Sequence, residues 1–123
     1  MTEFTVHLPH QPGSLADLAE RLAAAGINIE ALAAIGIEGT GTVRLIVDDE
    51  TTTRRMLQHH DMRFEERRVI TTVLPDRPGS VAAMTRQLAD SGMNIDAMYL
   101  LRTTHEGLEF AIAVEDSEGR LAS

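Results

Sequence analysis

Residues 8–14, Leu8-Pro9-His10-Gln11-Pro12-Gly13-Ser14, return later as Leu74-Pro75-Asp76-Arg77-Pro78-Gly79-Ser80. Ala25-Gly26-Ile27-Asn28-Ile29-Glu30-Ala31 likewise returns as Ser91-Gly92-Met93-Asn94-Ile95-Asp96-Ala97, at the same offset. A match of this length at constant spacing is a small domain duplicated, not the short period of a solenoid. A unit of about 60 residues buries too little surface to be robust alone, so the copies are expected to pack on each other, on another chain, or both. The first copy is assigned to residues 1–68 and the second to 69–123. No Gly/Ser/Pro linker lies between them, so they are expected to be closely juxtaposed.

Within the first copy, Phe4-Thr5-Val6-His7-Leu8 alternates and predicts a strand. The Pro-Gly pair ends it. Ser14 is a suitable N-cap, with Asp17 three residues on, and Leu15, Leu18 and Leu22 follow at helical spacing until Gly26. Residues 27–37 predict a second strand with Ile27, Ile29, Ala31, Ala33, Ile35 and Ile37 on one face. Gly39-Thr40-Gly41 predicts a hairpin turn, and residues 42–47 the returning strand. Asp48-Asp49-Glu50 favours the start of a helix reaching about His60, and residues 63–68 predict a fourth strand. This strand-helix-strand-strand-helix-strand order is the ferredoxin-like unit, an antiparallel sheet with both helices on one face. In the second copy Val81, Met84 and Leu88 repeat the first helical stripe, and residues 93–101 and 108–114 repeat the second and third strands. Asp116-Ser117-Glu118 offers a helix start, but too little follows for a second helix and a fourth strand. The fold class is therefore α+β: two ferredoxin-like βαββαβ units in tandem, the second truncated after its third strand. Leu15, Leu18, Leu22, Val81, Met84 and Leu88 are expected in the core.

Composition narrows the function. The formal net charge of −8 argues against a general nucleic-acid binder, which needs clustered Lys and Arg. The basic run of Arg63, Arg67 and Arg68 is broken by Glu65 and Glu66. The absence of cysteine excludes disulfides, thiolate catalysis and Cys-ligated metal. Met1-Thr2-Glu3-Phe4 does not resemble a secretory signal, and no apolar run approaches a membrane span. A soluble, cytoplasmic protein with no membrane partner is expected.

Chemistry is sought in the loops. The Pro-Gly-Ser turn leads into a helix N-terminus, where free N–H groups and the positive dipole end suit a carboxylate. Asn28 and Asn94, at the other end of the same helix, can accept from an ammonium and donate to a carboxylate. A purely structural role is the alternative: Pro-Gly-Ser is a good helix start, and Asn after Gly a good turn residue. Ser14 and Ser80 have no activating base near them in sequence, so capping explains them better than nucleophilic catalysis. His7, His10, His59, His60 and His105 lack the spacing of a helical zinc site. Gly36-x-x-Gly39-x-Gly41 lies in a hairpin and is no dinucleotide fingerprint. No enzyme, cofactor or metal is expected.

The Leu-Pro-x-x-Pro-Gly-Ser and Gly-[Ile/Met]-Asn-Ile motifs, in both copies over residues 3–115, resemble the ACT domain. The chain is most similar to stand-alone tandem ACT proteins and to regulatory subunits of acetolactate synthase. The resemblance implies an amino-acid ligand held between the loop after strand one and the start of strand two, often at an interface between two ACT units. It implies ligand-binding roles for His10, Gln11, Gly13, Ser14, Leu15, Asn28 and Ile29 in the first copy. In the second it implies them for Asp76, Arg77, Gly79, Ser80, Val81, Asn94 and Ile95. His10 departs from the family's usual Asp or Asn, whereas Asp76 matches it.

The expectation is a non-enzymatic amino-acid-binding regulatory protein of amino-acid metabolism, homodimeric, with a regulated enzyme as a further partner. The alternative is a dimerising interaction scaffold with vestigial ligand sites. An open strand edge in the truncated copy, with Met98 and Leu100 beside it, motivates the dimer.

Overall fold

The computed structural model describes residues 1–116. The described residues form two compact units, one of residues Thr2–Glu66 and one of Met1 with residues 67–116.

The first unit contains β1 (Thr2–Pro9), α1 (Ser14–Ala24), β2 (Ile29–Ile37), β3 (Thr40–Val47), α2 (Glu50–His59) and β4 (Arg63–Arg68). Its sheet has the order β2-β3-β1-β4, the ferredoxin-like topology expected from the element order. Phe4, Val6 and Leu8 of β1 and Val43, Leu45 and Val47 of β3 point to one face, where they meet Leu18 and Leu22 of α1 and Met56 and Leu57 of α2. The alternation along the strands and the i, i+4 spacing on the helices make these two faces match.

Several local expectations are corrected. Gly13 is the N-cap of α1, at φ 93°, with no side-chain cap hydrogen bond, and Ser14 is already helical. Only glycine adopts that left-handed conformation without strain, so the chain enters the helix through Gly13 and leaves the Ser14 hydroxyl unused as a cap. The same holds for Gly79 and Ser80. In α2 the N-cap is made by a side chain: Asp49 accepts from the Thr52 N–H at 3.0 Å and from its hydroxyl at 2.6 Å.

β2 does not keep one apolar face. Ile29 pairs with Val47 but Ala31 pairs with Ile46, so Glu30 is the extra residue of a β-bulge. A bulge of one residue moves every later side chain to the other face. Ile27 and Ile29 thus stay with the core, while Ala31, Ala33, Ile35 and Ile37 share the opposite face with Ile46 and Thr42. Ile35 and Ile37 are 56% and 65% exposed. The hairpin turn is Glu38-Gly39, both at positive φ as a two-residue type I′ loop demands, and Gly41 lies within β3.

The second unit contains β5 (Ile70–Leu74), α3 (Ser80–Asp90), β6 (Met93–Thr104) and β7 (Gly107–Asp116), with sheet order β5-β7-β6. This repeats β1, α1, β2 and β3, and among the described residues there is no second helix or fourth strand. The helix proposed from Asp116-Ser117-Glu118 falls outside the described residues. Ala111, Ile112, Ala113 and Val114 of the central strand are buried. No residue of α3 is buried. Met84 and Leu88 are only half-buried, because a single helix on three strands has no neighbouring helix to close over its flanks. Leu15 and Val81, also expected in the core, are exposed by 39% and 42%. Both occupy the first helical turn, next to the Pro-Gly-Ser loop.

Candidate functional site

The loop after β1 is organised by its own backbone. The His10 N–H donates to the Gly39 carbonyl at 3.0 Å, tying the loop to the β2–β3 turn. The Gln11 N–H donates to the Pro9 carbonyl, the Ser14 N–H to the Gln11 carbonyl and the Asp17 N–H to the Gly13 carbonyl. The amides of Leu15 and Ala16 are the first-turn donors left over, as a helix start requires. Both residues line a cleft of about 280 Å³. One wall is the loop: Leu8, Pro9, His10, Gln11, Gly13 and Ser14. The other is the end of the β2–β3 hairpin: Ala34, Ile35, Gly36, Gly41, Thr42 and Val43. The His10 imidazole lies so close to Gly36 that any Cβ there would overlap it.

Five candidates from the sequence, His10, Gln11, Gly13, Ser14 and Leu15, therefore meet in one cleft. Asn28 and Ile29 do not join them. Asn28 sits past the other end of α1, an 11-residue helix about 16 Å long. There its N–H donates to the Asp48 carboxylate at 2.9 Å and its carbonyl accepts from the Asp48 N–H at 3.2 Å. Ile29 is half-buried against the core. Sequence reading missed the hairpin wall, because Gly36 and Thr42 carry no motif and reach the loop only through strand pairing.

The second-copy loop has the same backbone pattern: Arg77 N–H to Pro75 carbonyl, Ser80 N–H to Arg77 carbonyl, Ala83 N–H to Gly79 carbonyl. It borders a shallower groove of about 470 Å³ whose lining includes Arg77, Gly79 and Ser80, together with Thr72, Met84 and Gln87. The Ser80 hydroxyl oxygen is buried without a hydrogen-bond partner. Asp76 and Val81 are exposed and stand outside this groove. Asn94 and Ile95 lie on β6, where the Asn94 side-chain amide donates to Glu115 at 3.4 Å and Ile95 is half-buried.

The perturbed ionisable groups lie away from the cleft. Two hydrogen bonds from the Arg54 guanidinium, at 2.8 and 2.6 Å, hold the Glu66 carboxyl below its ordinary value. The Thr52 hydroxyl and N–H do the same for Asp49. These pairs, with His7–Glu65 and Arg67–Asp96, engage much of the charge around β4. Among the described residues no three His, Cys, Asp or Glu side chains gather as metal ligands, and no helix is long and apolar enough to cross a membrane.

No protein-family model matches the sequence, and no curated protein matches it. Solved structures do. Protein BT0572 from Bacteroides thetaiotaomicron is similar with a TM-score of 0.84 and 23% identity, over 95% of this chain and 81% of that one. The ligand-free regulatory subunit of aspartate kinase from Thermus thermophilus is similar with a TM-score of 0.67 and 18% identity, over 95% and 83%. A structure of aspartokinase alpha and beta subunits follows at 0.65 and 21%, over 95% and 82%. At such identities the likeness speaks for the fold alone. Together with the two βαββ frameworks and their repeated loops, it shows that the chain has the fold of a tandem ACT-domain protein, with all six elements in the first unit and four of them among the described residues of the second.

Proposed function

We propose that the protein is a non-enzymatic regulatory protein of amino-acid metabolism that binds a small-molecule carboxylate, an α-amino acid above all, at its Pro-Gly-Ser loops. The observation that carries this reading is the first-copy cleft, where the unpaired amides of Leu15 and Ala16 border a concavity of small-metabolite size. The likeness to an aspartate kinase regulatory subunit supports a regulatory role. The amino acid itself suits the second copy better, since Asp76, exposed on the loop beside the groove, can pair with an ammonium projecting from it and His10 does not do so equally well. Asn28 or Asn94 would complete such a site from a second copy of the chain, because within one unit the asparagine stands at the far end of the helix. A homodimer and a regulated partner enzyme belong to this proposal.

Calorimetry with each proteinogenic amino acid at millimolar concentration tests it. A leucine-sized ligand is expected to bind between millimolar and micromolar, at roughly half to nine-tenths of a kcal/mol per heavy atom. Asp76→Ala and Asn94→Ala should each weaken binding by roughly 1–3 kcal/mol. Exposed Ile35 and Ile37 favour a second reading, the dimerising scaffold with vestigial sites. A stable dimer that gives no saturable heat with any amino acid would establish that reading instead.

A further inference from the structure

The two copies differ in charge at one loop position, Asp76 in the second and His10 in the first. In the first copy the difference extends over the whole cleft, for no aspartate or glutamate lines it. The loop carbonyls of Pro9, Gln11 and Gly13 already accept from Gln11, Ser14 and Asp17. The facing wall is a paired hairpin, with Ala34 opposite Val43, Ile35 opposite Thr42 and Gly36 opposite Gly41. The donors without an acceptor role are the Leu15 and Ala16 amides at the positive end of α1, while the Gln11 side-chain amide and the Ser14 hydroxyl can donate as well as accept. An anion finds several partners there. An ammonium meets no charged acceptor there, and the His10 ring offers at most one acceptor nitrogen. Leu8, Leu15, Ala34 and Val43 supply an apolar lining for a short aliphatic tail.

We infer that the first-copy cleft takes an organic carboxylate without an α-ammonium, such as a short-chain 2-oxo acid, and discriminates against the corresponding amino acid. This rests on the reading that the Pro-Gly-Ser loops hold small carboxylates, and it adds that the two copies differ in ligand class.

The test is a titration of the ¹⁵N-labelled full chain with 4-methyl-2-oxopentanoate and, separately, with L-leucine, each to about 10 mM. The oxo acid is expected to shift the amides of Leu15, Ala16 and Gly36 saturably, at least about tenfold more tightly than leucine does. In His10→Asp the preference should narrow or reverse, with the same spectrum reporting whether the variant is folded. The wild-type ratio decides the matter if it is not. Leucine binding at those amides as tightly as the oxo acid would overturn this inference and leave the proposed function standing. So would binding confined to the amides around Gly79–Ala82. If neither copy shows a saturable shift with any carboxylate, both fail.

Discussion

The imidazole of His10 occupies the space into which a Cβ on Gly36 would project. A loop side chain thus closes one end of the cleft against a strand glycine. In Gly36→Ala the ring, being the free end of a side chain, should swing aside instead of forcing the strand apart. Stability should then change by no more than about 0.5 kcal/mol, as for an ordinary surface substitution. The His10 ring resonances should move. Thermal melting with imidazole NMR checks both, and a loss above about 2 kcal/mol would show the ring to be locked in place.

Gly107 behaves differently. It stands at φ 139°, and an added Cβ would meet the Leu74 carbonyl and Pro75, which are backbone of the adjoining segment. Gly107→Ala should cost about 1–3 kcal/mol, the range for backbone strain. Gly41, its counterpart in the first copy, needs no left-handed conformation and has 3.3 Å to the Leu8 carbonyl. Urea denaturation should rank Gly107→Ala as the more damaging of the two.

Burial separates two residues of the helical stripe. Leu18 is 1% exposed and belongs to the core, so Leu18→Ala should cost roughly 2–5 kcal/mol. Val81, at 42%, should lose about 0.5 kcal/mol or less on truncation to alanine. Equal losses in chemical denaturation would contradict the difference between the units.

Acid should destabilise the fold in two stages. At His60, partial desolvation, then the charges of Arg21 and His59, depress the imidazole below its ordinary value. The folded chain therefore binds this proton less readily than the unfolded one. The stability is full above about pH 6.5 and declines as pH falls through that value toward the folded one. The carboxyls of Glu66 and Asp49 are also depressed, by the hydrogen bonds from Arg54 and Thr52. Their contribution persists above about pH 4.5 and is lost below it. Melting temperatures across pH 3–8 should show both declines, with His60→Gln removing only the upper one.

The duplication, the order of strands and helices, and the bounds of β4 follow from local pattern, because alternation, helical spacing and turn residues act within a few positions. The start of β2 shows where that reading ends. Its isoleucines and alanines alternate without a break, yet the bulge at Glu30 moves the later ones to the other face. The bulge arises in pairing with β3, which the one-dimensional pattern does not contain.

Half of the candidate site was legible in the same way. Pro12-Gly13-Ser14 marks a helix start, since helix entry depends on a few local residues, although the cap falls on Gly13 and not on Ser14. The cleft was not legible. His10 meets Gly36 only because the turn at Gly39 is hydrogen-bonded to the β1 loop, and Asn28 is kept away by the length of α1. The sequence by itself determined which elements form and which residues each loop carries. Tertiary structure alone decided which of those residues face one another, since strand register and helix length set distances that no local motif encodes.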